Sequence, residues 1–586
     1  MSKILIDQLR IDGFRGLTDF KMSLFGTTVL TGMNNVGKTS VLKALQLVFG
    51  NASFLNVEDL HIENNVRHDR IIVDVRIIPT NDAGIRIADF DDEWAMVLKA
   101  ANIKHDVEDR AYVAFRSIFE YTEGKGIFTR KTENLIDWEQ DGVLWTALTT
   151  TTKFTIPNDQ LPFFYIDARR DIIEDLKLRN SYLGRMLSEV SSHYTDEQVS
   201  EIEHLIEELN RKAISDSEVL VNIQSALSGL NSTMDRADST VSILPFTKKI
   251  RDLNKSLSIQ YGSTHDTFTM DYHGMGTRSW SSLLTFKAFM NFVISSLQDG
   301  DVCCPIIAIE EPESHLHPNA QKQLYAQMIE LEGLKLISTH SPYVAACARL
   351  SEIRNIYKDG NHTIIGMFDD TNLSSDDIRN VERQVILSHG ELLFCKAMVL
   401  FEGETEAIAL PIYAEKAFGA PAFIRGMDFV GVGGYGFYAP YVRFAKAYNI
   451  PWFIFSDGES DAINGVKNAL RKALNRPDLE LSQCDNVFII PDNKDYESYI
   501  TSLNYLDAFK NAHKKYIENT ETDPRAISGK KKTIDKYTAQ YYNERAHTYK
   551  TTWASIMANA IVDSGMPLPP LVNSLFEKVK DQLSYV

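Results

Sequence analysis

The sequence predicts an α/β protein with two parallel-sheet regions, one built to hold a nucleotide and one built around acids. Three observations carry that prediction. Gly32-Met33-Asn34-Asn35-Val36-Gly37-Lys38-Thr39 fits the phosphate-loop pattern G-x-x-x-x-G-K-[ST], between a strand ending at Thr28–Thr31 and a helical run, Ser40–Phe49. Ile306–Ile309 is an apolar run closed by two acids, Glu310 and Glu311. Ala397–Phe401, Pro451–Phe455 and Asn486–Ile490 are further apolar runs that alternate with helical sequence, each ending in carboxylates. Runs apolar on both faces read as buried strands, and doubly wound sheets bind ligands at the carboxyl ends of their strands.

The 586 residues give room for two to four domains. With 44% hydrophobic and 24% charged residues the composition is that of a soluble globular protein. No apolar run reaches the ~18 residues of a membrane span, and Met-Ser-Lys-Ile-Leu-Ile-Asp lacks a signal-peptide apolar region, so a cytoplasmic location is expected. The net charge of −18 argues against a generally basic, nucleic-acid-coating protein but leaves room for a local basic groove. Cys303, Cys304, Cys347, Cys395 and Cys484 form no CxxC pair and none sits at zinc-ligand spacing from a histidine. They read as buried free thiols.

In chain order, Ile4–Phe14 alternates as a strand does. The glycines of the phosphate loop let backbone N–H groups wrap a phosphate, and the helix start adds positive potential. Lys38 would reach the β/γ-phosphates and Thr39 would ligate Mg²⁺, with Asn34, Asn35, Gly37 and Ser40 completing the ATP contacts. Strands follow at Ile71–Ile78, Ala111–Tyr121, Gly126–Arg130 and Pro162–Ile166, the last leading into Asp167-Ala-Arg-Arg-Asp171. From about 172 to 235 apolar residues recur at helical spacing with charges on the other faces. This segment reads as either a dimerisation arm or a local helical lobe.

Gly274–Ser279, with Gly276 at its centre, precedes a helical run at Trp280–Leu297 and makes a second anion-binding surface. The Glu310–Glu311 pair suits a site that holds Mg²⁺ against a phosphate and activates water. Leu334–Ile337 is another strand, and His340 just beyond it reads as a γ-phosphate sensor. With these parts in this order the chain resembles the ABC-type ATPase heads of the SMC and RecF kind. The resemblance implies that Glu310 helps hold Mg²⁺, that Glu311 polarises the attacking water, and that the loop around Gly276 acts on the nucleotide of an opposite subunit. A homodimer or higher homo-oligomer is therefore expected. The loop departs from the usual Leu-Ser-Gly-Gly pattern.

In the last third the strand ends carry Glu402-Gly-Glu-Thr-Glu406, Asp457-Gly-Glu459 and Asp492-Asn-Lys-Asp-Tyr-Glu497. Acids converging at one sheet edge repel one another unless cations neutralise them, and hard oxygen ligands select Mg²⁺ or Mn²⁺. Glu402, Glu406, Asp457, Glu459 and Glu497 are the expected ligands of two ions that would clamp a phosphodiester. This part resembles a Toprim domain, with Asp457-x-Glu459 where an Asp-x-Asp is usual. The whole layout is similar to the OLD (overcoming lysogenisation defect) nucleases, the nuclease subunit of the Gabija system and retron-associated effectors. That resemblance implies a late lysine at the scissile phosphate. Lys550 is preferred over the basic run Lys530–Lys532.

The expected domains are an ATPase part at 1–171, a helical, dimerising insert at 172–240, the rest of the ATPase at 241–390 and a Toprim domain with C-terminal helices at 391–586. The expected function is ATP-regulated, metal-dependent DNA cleavage, with Glu311, Glu402, Asp457 and Lys550 as catalytic residues. ATP would bind with one Mg²⁺. The resemblance implies a role in antiphage defence and admits an accessory helicase or a retron RNA/DNA as partner. One rival is an SMC/RecF-like repair ATPase whose Toprim half binds DNA without cutting it. Another is a Toprim primase or topoisomerase, for which the chain lacks a recognisable zinc module or tyrosine-cleavage domain.

Overall fold

The computed structural model describes residues 3–178, 195–217, 260–262, 267–295 and 301–584, with Tyr182 and Arg185, and leaves out 51, 53, 125, 140–142, 361 and 372. The chain forms two compact units, residues 1–158 with 334–586, and residues 159–333.

In the first unit an antiparallel sheet runs Thr150–Lys153, Ile127–Leu135, Ala111–Thr122, Arg70–Thr80, Lys3–Asp12, Phe20–Ser23. Its centre holds a buried ion pair. Arg116 meets Asp74 through two hydrogen bonds of 2.7 and 2.9 Å and gives a third, 2.9 Å, to the Thr146 carbonyl. Removing either partner would strand the other charge in the core, the costly outcome for such pairs.

The phosphate-loop strand Thr27–Thr31 lies between parallel neighbours Leu334–Ser338 and Ile353–Asp359, and His362–Met367 pairs antiparallel with the latter. Gly32 has φ 124°. A Cβ there would come within 2.1 Å of the Ile356 carbonyl oxygen, so only glycine lets the loop leave its strand so close to the neighbouring backbone. The helix after the loop spans Lys38–Phe49, starting earlier than its apolar pattern indicated.

A second parallel sheet orders Met427–Gly431, Ala397–Phe401, Trp452–Ser456 and Val487–Ile489. The Met427–Gly431 strand was not expected, because its Asp428 and closing glycine break the apolar run. Helices Glu404–Phe418 and Lys550–Asp563 share one core, in which Leu410 and Tyr413 are buried with Trp553, Met557 and Ile561. The sheet is tied to residues 346–390 of this unit by Arg443 and Lys472, which meet Asp377 at 2.7 and 2.6 Å. The Tyr448 hydroxyl adds a 2.9 Å bond to the Leu350 carbonyl.

In the second unit Phe163–Ile166 pairs parallel with Ile306–Glu310. The helix expected from Trp280 begins at Met275 and runs to Ser295, so Gly276 lies in its first turn and not in a free loop. Of the helical insert, Ile172–Lys177 and Asp196–Ser215 are described helices, and residues 218–259 lie outside the described residues. The cysteines are free, but they are only partly buried and Cys347 is exposed; flanking an apolar run does not place a side chain on its inner face. Among the described residues no helix is long and apolar enough to cross a membrane.

Candidate nucleotide and acidic sites

The ATPase parts fall into two groups. In the first unit Lys38 Nζ donates to the carbonyls of Gly32 and Met33, at 2.8 and 2.7 Å, folding the side chain back over its own loop. Thr39 and Ser40 open the helix behind it, Gly37 is left-handed at φ 110°, and Asn34 and Asn35 are exposed on the loop. His340 follows the strand Leu334–Ser338, and the Thr339 N–H bonds the Leu30 carbonyl at 3.0 Å, which sets His340 level with the start of the loop.

In the second unit Glu310 ends its strand and accepts a hydrogen bond from the Tyr165 hydroxyl. Glu311 takes a left-handed φ of 42°. The Arg170 guanidinium, pulled down to about 10 by burial, donates to the Glu311 and Pro312 carbonyls. Arg278 pairs with Asp171 and fixes the helix start, and a Cβ on Gly276 would lie 2.5 Å from the His315 carbonyl oxygen. Gly276 thus sits against the turn that follows the two acids.

The acidic site lies wholly in the first unit, at the carboxyl edge of the second parallel sheet. Ser456, at the end of one strand, donates to Glu402 Oε1 at 2.7 Å, at the end of the next. Glu406, 4% exposed, curls back over Gly403, where a Cβ would come within 2.6 Å of its Oε2. Thr405 donates to Glu497 Oε1 at 2.7 Å. Asp457 Oδ1 is buried and has no hydrogen-bond partner among the described residues. Glu459, the cap of helix Ser460–Leu474, is exposed at the rim.

Burial, reinforced by Asp457, Glu497 and Glu402, pushes the Glu406 carboxyl up to about 8. Burial with Glu402, Asp495 and Glu497 lifts Asp457 to about 7, and burial raises Glu402 as well. A buried carboxylate oxygen with no donor, among carboxyls raised by burial and by one another's charge, suits a cation. The all-oxygen donors fit Mg²⁺ or Mn²⁺.

Lys550 opens its helix with Nζ 3.9 Å from Glu497 Oε1. Lys530 and Lys531 instead pair with Glu521 and Glu518 at the C-terminal end of helix Leu506–Thr520. Sequence reasoning did not single out Asp495 or His547. His547 Nε2 lies 2.7 Å from Asp495 Oδ2 and its Nδ1 lies 2.8 Å from the Asn543 carbonyl. Ligand atoms of Asp495, Glu497 and His547 all fall within 4.8 Å of one another. The signal in the sequence was the spacing His547-x-x-Lys550, which puts both side chains at one helix junction.

A P-loop ATPase core joined in one chain to a parallel sheet edged with acids defines an ATPase–Toprim protein. Residues 5–345 match the AAA ATPase domain family, to which the chain belongs, and residues 393–458 match the TOPRIM domain of overcoming lysogenization defect protein-like proteins, which makes it an ATPase–Toprim protein of the OLD family. The OLD nuclease of Thermus scotoductus is 24% identical over 470 residues, covering 77% of this chain and 82% of that protein. Endonuclease GajA of Bacillus cereus is 24% identical over 478 residues, covering 78% and 76%. The C-terminal region of the Burkholderia pseudomallei OLD protein aligns with a TM-score of 0.24 at 17% identity, over 32% of this chain and 99% of that one.

Proposed function

We propose that the chain is a cytoplasmic, ATP-regulated, divalent-metal-dependent DNA endonuclease that works as a homo-oligomer in antiphage defence. The observation that carries this reading is the donorless, buried Asp457 Oδ1 set among Glu402, Glu406 and Glu497 with Lys550 alongside. Glu402, Glu406, Asp457, Glu459 and Glu497 would hold two divalent ions, which when bound would supply water activation and charge neutralisation at a phosphodiester. Ser456 fixes the Glu402 carboxylate, Thr405 fixes Glu497, and the buried setting keeps bulk water from competing for these groups. Lys550 presents its ammonium to the phosphate and offsets the charge that builds there.

In the first unit Lys38 and Thr39 would take the phosphates of ATP and His340 would read the γ-phosphate; in the second unit Glu310 would offer a carboxylate to Mg²⁺ and Glu311 one to water. Gly276 serves the nucleotide of a second subunit. The fold supports coupling between the halves. Gly32, Met33 and Asn34 of the phosphate loop share a cavity of about 760 Å³ with Lys396, Trp452 and Asn486, which stand at the amino ends of the Toprim strands. The acids stand at the other ends of those strands. The exposed Glu459 favours a second reading, in which the Toprim half binds DNA without cutting it. Incubating supercoiled DNA with the protein and Mn²⁺ or Mg²⁺ decides between them. Cleavage that Glu402→Ala abolishes supports the nuclease, and binding with no cleavage supports the rival.

A further inference from the structure

The loop Val432-Gly433-Gly434-Tyr435-Gly436-Phe437 leaves the Met427–Gly431 strand at the acidic edge and is pinned there at both ends. The Val432 N–H bonds the Phe401 carbonyl at 2.8 Å, one residue before Glu402. Tyr438, fully buried, follows the loop and lies beside Glu402 and Ser456. Gly433 and Gly434, at φ 78° and 136°, turn the loop outward. Its two rings then stand in solvent, Tyr435 47% and Phe437 50% exposed. Tyr435 rests on Gly465, where a Cβ would come within 2.3 Å of its ring, so one ring is buttressed by backbone.

Phe437, Tyr441, Arg383, Gln384 and His389 line a pocket of about 410 Å³, in which the Tyr441 hydroxyl donates to the Gln384 carbonyl at 3.0 Å. Glu382–Ile386 is a π-helical turn, a local irregularity that recurs at functional sites and here sets where Arg383 projects. An aromatic face, an amide and a guanidinium around a pocket of this size match a single nucleobase with its phosphate. A closed duplex offers no free base face.

We infer that this rim pocket receives an unpaired nucleobase of DNA beside the phosphate to be cut, so that the enzyme selects DNA with an unstacked base. The inference rests on the nuclease reading and adds its substrate structure. The test uses the full-length protein in EDTA with an oligonucleotide carrying 2-aminopurine, as a single strand and in a duplex, beside a Mn²⁺ cleavage assay on the same DNA. Stacking of the probe in the pocket predicts a fluorescence change and tighter binding for the single strand. Phe437→Ala should weaken that binding about tenfold or more, Phe437→Trp should retain it, and Glu402→Ala, though inactive, should still report the stacked base. Thermal melting shows whether each variant is folded. If the wild type cuts DNA while Phe437→Ala and Arg383→Ala bind and stack the probe as it does, the inference fails and the nuclease reading stands. If the wild type neither binds nor cuts DNA, both fail.

Discussion

The Ser456 hydroxyl donates to Glu402 across 2.7 Å, joining the carboxyl ends of two neighbouring parallel strands at the point where the acids meet. Ser456 touches the carboxylate and not the substrate, so its role is to hold Glu402 in one orientation. Ser456→Ala should leave the fold intact, lower Mn²⁺ affinity and cleavage by about 10–100-fold, and be partly rescued by higher Mn²⁺. Isothermal titration with Mn²⁺ and a cleavage time course check both effects.

Glu406 and Asp457 make the metal-free protein pH-sensitive. Their folded values of about 8 and about 7 lie above the ordinary 4.5 and 3.8. The folded state therefore binds protons more tightly than the unfolded chain. The stability these groups contribute is complete below about pH 4 and is lost as pH rises through about 7 to 8. Melting temperature in EDTA should fall between pH 5 and 8.5, Glu406→Gln should flatten the fall, and Mg²⁺ should raise the curve most at the alkaline end.

Gly458 is required by space. A Cβ there would lie 1.9 Å from the Ile490 carbonyl oxygen, while the Gly458 N–H bonds the Lys494 carbonyl at 2.8 Å. Gly458→Ala must push two strand ends apart. It should cost about 1–3 kcal/mol in chemical denaturation and abolish cleavage by moving Asp457.

A buried chain of hydrogen bonds runs from the phosphate-loop strand to the end of helix Tyr438–Ala447, which packs beside the second parallel sheet. Thr31, just before the phosphate loop, donates to Asn355 Oδ1 at 3.2 Å, and Asn355 Nδ2 donates to the Tyr448 carbonyl at 3.2 Å. Asn355→Ala leaves the Tyr448 carbonyl without this donor, at a cost of about 1–3 kcal/mol. ATP should then change the cleavage rate far less than it does in wild type, with ATP binding retained. Nucleotide binding and cleavage, each measured with and without ATP, check this.

Much of the fold was legible because its strands are apolar on both faces. Ile306–Ile309, Ala397–Phe401 and Pro451–Phe455 needed no tertiary information to be read. Met427–Gly431 escaped because Asp428 interrupts its pattern, and the start of the Met275–Ser295 helix escaped because glycines masked it. At the acidic edge the ligand candidates followed from where strands end. The hydrogen bonds that orient them did not, since Ser456, Thr405 and His547 reach their partners across 54, 92 and 52 residues of sequence. Such pairings exist only once the sheet has closed.

The most direct test of the central claim is cleavage of supercoiled plasmid with Mn²⁺ by wild type, Glu402→Ala and Asp457→Asn, each verified as folded by its melting curve. Wild type should give nicked or linear product and neither variant should give any, with all three eluting alike on gel filtration. Equal cutting by wild type and both variants would contradict it, because the nuclease would then lie elsewhere than the acidic edge of the Toprim sheet.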